Sequence, residues 1–372
     1  MAGRAPQPLW SWTGAMTPVH GAAAGAPHVA VPDAFAPMLA ANLAASATPN
    51  TAAMSARAAV HELRGLSMGT TWSVKLAAPV AALIDLERGI QARLDEVVAQ
   101  MSTWETGSDI SRYNRADAGS AHTLPAPFAE VLAAALALAA DTDGAYDPSI
   151  GPLTDLWGFG PAGARAQAPE PAPLAQARER VDWRRLRFDP ATRELIQPGG
   201  AYLDFSSIAK GYGVDRVADW LLAQGCGDCL VEVGGELRAH GGKPDGSAWR
   251  VAVEHPGRED EAAAVIALDG LAIATSGDYR RYFEQAGAAR RYSHTLDPRT
   301  GAPIDHAVAS VTVLHERCMQ ADALATALTV LGARAGLAYA NRRQLAALFV
   351  LREGDGFVSR ATPGFVARQR SA

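Results

Sequence analysis

Cysteine, lysine and nucleotide-binding glycine signatures are scarce in this 372-residue chain, and each shortage removes a class of function. Only three cysteines occur, Cys226, Cys229 and Cys318, too few for a disulfide framework. Cys226 and Cys229 form a CGDC tetrad. No second Cys or His pair accompanies it to complete a zinc site, so a connecting loop is the simpler reading. Cysteine is also missing before residue 226, which leaves no attachment point for a lipid anchor near the start. There is no basic excess: a net charge of −5 and a pI near 6.0 give no footprint for nucleic acid. The apolar run 131–140 is too short to cross a bilayer. No compact hydrophobic segment with a clear cleavage site follows Arg4. The chain as written reads as cytoplasmic without stable membrane insertion; a different start would allow a periplasmic or inner-membrane-associated protein. GxGxxG after a strand, GxxxxGK[ST] and GxSxG are all missing, which argues against Rossmann, P-loop and α/β-hydrolase sites.

What is present is organised around YLDFSSIAKGYGVDRVADWL, residues 202–221. A short apolar run gives way to Ile208, Tyr212, Val217, Trp220 and Leu221 at helical spacing, which predicts a strand or turn feeding an amphipathic helix. Ser206 and Ser207 are N-cap candidates. Asp204 precedes the helix and Lys210 lies in its first turn. Hydroxyls, free N–H groups and an ammonium at a helix N-terminus suit an anion. Lys210 is one of three lysines, with Lys75 and Lys243, in a chain that otherwise writes positive charge as arginine. A compact point charge at that position is a distinct chemical choice. A capped surface helix with a solvated lysine fits the stretch equally well.

Residues 1–57, rich in Ala, Pro, Gly, Ser and Thr, read as a disordered extension. One domain is expected over 58–360 and a flexible tail over 361–372. Within the domain, residues 61–76 predict two strands around Met68-Gly69-Thr70-Thr71, because Trp72, Val74 and Leu76 alternate. Helices are predicted over 79–101 and 127–142, with a short one opening at Ser108-Asp109. Two prolines and four glycines in 143–160 predict a long shaped loop without a regular element. A hairpin is expected over 185–197, strands over 229–241, 249–256, 263–267, 271–275, 308–314 and 346–351, a helix over 318–332 closed by Gly332, and a last helix over 333–340. No fixed-period repeat is visible.

Two further constellations carry chemistry. Asp322 and Thr326 stand at i and i+4 on a nearly apolar helix, so their oxygens share a face. A carboxylate there is costly unless paired or metal-bound, and carboxylate plus hydroxyl suits Mg²⁺. A charge favoured by its own helix dipole is the competing reading. YSHTLDPRTG, residues 292–301, places His294 and Asp297 where a strand meets a turn. His294 is able to act as a base near neutral pH, although a lone strand histidine is more often structural. The loop edges at 101–103 and 145–153 are shaped to wrap a flat ligand.

Eight motifs stand in fixed order: MGTTWSV, MSTW…SDISRYN, YDPSIGPL…WGFG, LDFSSIAKGYGVD, LVEVGGEL, ATSGDYRRYF, RYSHTLDPRTG and CMQADALATALTVLG. Across residues 66–350 the chain resembles the ApbE family of FAD:protein FMN transferases. The resemblance implies an α+β, T-fold-related architecture with mixed, mostly antiparallel sheets flanked by helices, and an FAD/Mg site in a cleft between two lobes. It implies Mg²⁺-dependent transfer of FMN from FAD to a Ser or Thr of a flavin-acceptor protein, such as a redox-pump subunit or a flavin-dependent reductase, with release of AMP. Asp322, Thr326 and Ser207 match metal-binding positions, Ser207 through its backbone. Met68, Thr103, Ala145, Tyr146, Asp147, Asp204, Lys210 and Leu296 match positions around FAD, and His294 matches the catalytic histidine. The Gly277-Asp278 turn is placed beside the adenine or the target segment. A Mg²⁺-dependent FAD pyrophosphatase would use the same residues, and a non-catalytic FAD-binding protein is the third reading. The Cys226/Cys229 pair lies outside the shared motifs, and no acceptor-type segment in the chain supports self-flavinylation.

Overall fold

The computed structural model describes residues 59–165, 167–278, 282–284 and 291–370. The extension expected over 1–57 and parts of the ATSGDYRRYF region lie outside them. Eight strands form the main sheet: β1 (Val60–Ser67), β2 (Thr70–Ala77), β3 (Cys229–Val233), β4 (Glu236–His240), β5 (Leu271–Gly277), β6 (Val308–His315), β7 (Ala346–Glu353) and β8 (Gly356–Ala361). They lie across the sheet in chain order, each antiparallel to its neighbour. The mostly antiparallel sheet flanked by helices is as expected, and every pairing within this sheet is antiparallel.

Helices α1 (Leu83–Met101), α2 (Asp109–Asn114), α3 (Ala126–Asp141), α4 (Gly151–Leu156), α5 (Pro171–Arg178) and α6 (Ala209–Ala223) all fall between β2 and β3. Helix α7 (Cys318–Arg342) joins β6 to β7, and α8 (Pro363–Arg370) ends the chain. The element order is thus two strands, a crossover ending in a long helix, two strands, and then the same again. This duplication is of elements, not residues, which is why no repeat shows in the sequence.

Burial follows side-chain spacing. Trp72, Val74 and Leu76 point inward from β2, and Leu86, Ile90, Leu94, Val97 and Met101 form the inner stripe of α1. Leu86, Ile90 and Leu94 of that stripe pack with Val214, Val217 and Leu221 of α6 into one core. A second core lies where α3 meets the start of α6, through Phe128, Leu132, Phe205 and Tyr212. The third gathers α7, the inner strands and the ribbon Trp249–His255/Arg258–Leu268. Every residue of β6 is buried, as a strand covered on both faces must be. By length and composition α7 would cross a bilayer, but 61% of that window is buried within the fold.

Two expectations change and one holds. The loop over 143–160 contains α4, which begins in its proline-bearing first turn, where the missing N–H costs nothing. Gly332 ends the first helical stretch as expected: at φ 74° and ψ 176° it breaks α7 at a kink, and a second helical stretch continues to Arg342. The expected flexible tail from 361 instead forms the end of β8 and helix α8, because Phe365 is fully buried and Thr362 exchanges hydrogen bonds with Ala347 and Leu345. Strand β8 itself carries no run of buried positions, so its sequence offered no alternation to read.

Candidate active site between two helix N-termini

The segment 202–208 is not a strand. Asp204 is buried and accepts the Ser206 N–H at 2.8 Å, closing an Asx turn that feeds α6. Ser206 and Ser207 therefore do not cap the helix, which starts after Ile208 with no side-chain cap. Ser207 instead donates its hydroxyl to the Tyr146 phenolic oxygen at 3.2 Å. Burial pushes the Tyr146 phenol well above its usual range, so it stays protonated.

The N–H groups at the start of α6 are served from another helix. Asp322, the fifth residue of α7, accepts the Gly211 N–H at 3.0 Å through Oδ2. This is possible because residue 211 has no side chain: a Cβ there would stand 2.3 Å from the Cys318 carbonyl oxygen and 2.8 Å from the Asp322 Cβ. Asp322 is buried, with only 3% of its surface exposed, and reaches across to α6 rather than to its own N-terminus. The helix-dipole reading of this residue is thereby replaced by a cross-helix one.

Lys210 sits in the same space, in contact with the Glu236 carboxylate. Burial opposes the Lys210 charge, but Asp322 and Glu236 outweigh it and raise its pKa. Burial also drives both acids upward, Glu236 to about 7, with Lys210 opposing. With both acids ionised the trio carries one excess negative charge. The second Glu236 oxygen, Oε2, is buried without a partner. Glu236 was passed over in the sequence, although VGGEL holds a signal: Gly234 and Gly235, at φ 59° and 100°, turn β3 into β4 and place the next residue at the end of the sheet. The Met68-Gly69 turn at the same end has φ 52° and 71°, and its Gly234 neighbour donates to the Thr71 carbonyl. Methionine in the left-handed region is uncommon, and its sulfur lies 3.1 Å from where a Gly213 Cβ would project.

Thr326, one turn beyond Asp322, has its Oγ1 2.9 Å from the Ser276 hydroxyl of β5. The oxygens of Asp322, Thr326 and Ser207, with an excess negative charge and an orphaned buried carboxylate oxygen, fit a hard cation such as Mg²⁺. Among the described residues no three His, Cys, Asp or Glu side chains form a metal cage, so hydroxyl, backbone or water oxygens would complete such a sphere.

The remaining candidates are held by contacts of their own. Asp147 is buried and gives Oδ1 to the Ser149 N–H and hydroxyl and Oδ2 to the Trp183 N–H; burial still raises its pKa. It shapes the loop that carries Ala145 and Tyr146, both buried. Beside it opens a cavity of about 450 Å³ lined by Gly144, Asp147, Trp183 and Arg299, among others. Thr103 belongs to the loop stapled by Ser108 and Ser111, whose hydroxyls donate to the Ser102 carbonyl. Leu296 packs with Leu153 and Trp157, and His294 lies edge-on to Phe159 with ring centroids 6.3 Å apart. Asp278 is engaged by the Arg352 guanidinium. Cys226 and Cys229 are free thiols, the latter buried on β3.

Fold and cluster together define a buried group of carboxylates, hydroxyls and one ammonium where two crossover helices begin. A profile of the ApbE family matches residues 68–349. The chain is 42% identical over 315 residues to the FAD:protein FMN transferase of Vibrio cholerae, covering 82% of this chain and 91% of that one. The Haemophilus influenzae protein of the same name is 40% identical, with 82% and 90% covered. Among solved structures, the flavinyl transferase ApbE of Pseudomonas stutzeri in its apo form superposes with a TM-score of 0.78 at 44% identity, covering 84% of this chain and 97% of that one. The apbe protein of Thermotoga maritima gives 0.75 at 29% identity, covering 84% and 100%. This chain belongs to the ApbE family.

Proposed function

We propose that this protein is an FAD:protein FMN transferase: it moves the FMN half of FAD onto a Ser or Thr hydroxyl of a flavoprotein acceptor and releases AMP. The observation that carries the site assignment is the buried Lys210–Glu236–Asp322 trio, a preorganised cluster that carries one excess negative charge once both acids are ionised. Asp322, Thr326 and Ser207 would hold Mg²⁺, which when bound supplies positive charge against the pyrophosphate. Lys210 binds a phosphate oxygen as a compact point charge at the start of α6, where the positive end of the helix dipole adds to the attraction. Met68, Thr103, Ala145, Tyr146, Asp147, Asp204 and Leu296 wall the cleft in which FAD lies.

The reaction forms one P–O bond and breaks another. The acceptor oxygen attacks the FMN-side phosphorus, the bridging oxygen departs with AMP, and the hydroxyl proton passes to His294. Positioning and charge neutralisation supply most of the acceleration in such a transfer. His294 is expected to contribute roughly 10²–10⁴-fold as a base. His294→Ala should bind FAD normally and transfer FMN that much more slowly; transfer at the parental rate removes His294 from the chemistry.

The deciding experiment mixes the purified protein with FAD, Mg²⁺ and a flavin-acceptor domain and follows the acceptor by mass spectrometry. A gain of one FMN with AMP in solution is the expected result. Free FMN and AMP without an adduct would identify a pyrophosphatase, and tight FAD binding without turnover a binding protein.

A further inference from the structure

Ser276 lies on β5, one residue from the strand's end, and its hydroxyl meets Thr326 Oγ1 at 2.9 Å. We infer that Ser276 is a positioning residue for the cation: it accepts the Thr326 proton and so turns a Thr326 lone pair toward the metal. The inference rests on the Mg²⁺ reading above and extends it to a residue outside the ligand set.

The argument is one of proton order. A threonine hydroxyl has one hydrogen and two lone pairs. If Ser276 donated to Thr326, the Thr326 hydrogen would be left to point elsewhere, including toward the cation, and a bound cation repels that arrangement. If Thr326 donates to Ser276, its lone pairs are free for the metal. Ser276 is half-buried and able to pass its own proton outward.

The geometry is also held firmly. Residues 275 and 276 face opposite sides of the sheet, and the Thr275 hydroxyl meets that of Thr312 on β6 at 2.9 Å. That bond lies within a continuous antiparallel register, Thr275 opposite Thr312 and Ser276 opposite Val311, so β5 cannot slide. On the other partner, Asp322, Ala323, Ala325 and Ala327 are all buried, which leaves α7 no freedom to rotate Thr326 away. Cys318 at the head of α7 adds a thiol contact to the Ile273 carbonyl on the same strand. Partners of this kind, one bond removed from a metal ligand, commonly govern affinity by 10- to 100-fold.

The test titrates Mg²⁺ into the full-length, FAD-bound protein and reads flavin fluorescence, with FMN transfer measured in parallel. Ser276→Ala should raise the half-saturating Mg²⁺ concentration about tenfold in both readouts, with transfer recovered as Mg²⁺ is raised. Ser276→Thr keeps the hydroxyl and should restore the parental titration. Ser276→Cys, close in volume but a weak acceptor, gives the same readout if the alanine variant does not fold. A Ser276→Ala titration that superimposes on the parent overturns the inference, as does a shift that Ser276→Thr fails to reverse. Asp322→Asn separates this failure from a wider one: if it too leaves the Mg²⁺ titration unchanged, the metal site is wrong, not merely the role of Ser276.

Discussion

Two aspartates at the α6–α7 junction do the same local job and have opposite surroundings. Asp215 of α6 accepts the Cys318 and Met319 N–H groups, each at 3.0 Å, and so caps α7. Asp322 of α7 accepts the Gly211 N–H and caps α6 in return. Asp215 is fully buried, yet its charge is also met by Arg238 at 2.9 Å and Arg317 at 3.3 Å, which are tied in turn to Asp219. Asp322 shares the Lys210 charge with Glu236, whose Oε2 is buried without a partner. The saturated carboxylate builds the junction, and the unsaturated one is where charge from outside is wanted. Burial by itself does not separate the two; the number of donors does.

The largest effects should come from removing each charge. Asp322→Asn should reduce FMN transfer by roughly 10²–10³-fold or more while the urea midpoint stays near the parent's, because a buried, under-neutralised charge is removed. Asp215→Asn should do the reverse in kind, costing about 3–5 kcal/mol of stability by stranding Arg238 and Arg317, measured by urea unfolding. Should Asp322→Asn prove the strongly destabilised variant and Asp215→Asn the inactive but stable one, the assignment of roles is inverted.

A middle-sized effect is expected at the crossing point. Gly211→Ala places a Cβ against the Cys318 carbonyl and should cost about 1–3 kcal/mol from overpacking, despite the better helix propensity of alanine. FAD affinity should fall with it, because the separation of Lys210 from Asp322 widens. Unchanged stability and affinity would mean that the helices part without consequence.

The smallest effect lies in a pH slope. Glu236 titrates near 7 in the folded protein against an ordinary value of 4.5. Its contribution to stability is therefore fully present below 4.5 and is lost as pH rises through 7, because the unfolded chain releases the proton first. Glu236→Gln should flatten that segment of the stability curve, by no more than about 1.4 kcal/mol per pH unit. A parental slope in the variant would place the titration on another group.

Strands β1 and β2 and helices α1 and α6 were legible in the sequence because each buries one face with a regular period. The carboxylate–hydroxyl pair of α7 was legible for a related reason: polar atoms interrupt an otherwise apolar helix. Helix α4 was hidden by glycines and prolines that read as loop but sit in its first turn, and β8 and α8 by burial that rests on few side chains. Ser276 and Asp215 carried no local mark of their roles, and Glu236 only the Gly234-Gly235 turn before it. A serine on a strand, an acid after a Gly-Gly turn and an aspartate inside a helix are all ordinary in isolation.

The sequence by itself determined much of the secondary structure that frames the site and the family to which the chain belongs. It did so through periodicity and ordered motifs, which are local properties of the chain. Only the tertiary structure decided which carboxylate is satisfied and which is not. Asp322 meets Gly211 across 111 positions and Asp215 meets Cys318 across 103. Contacts at that separation arise from the packing of α6 against α7, made possible by a glycine at their closest approach, and no local pattern encodes the number of donors an oxygen will meet there.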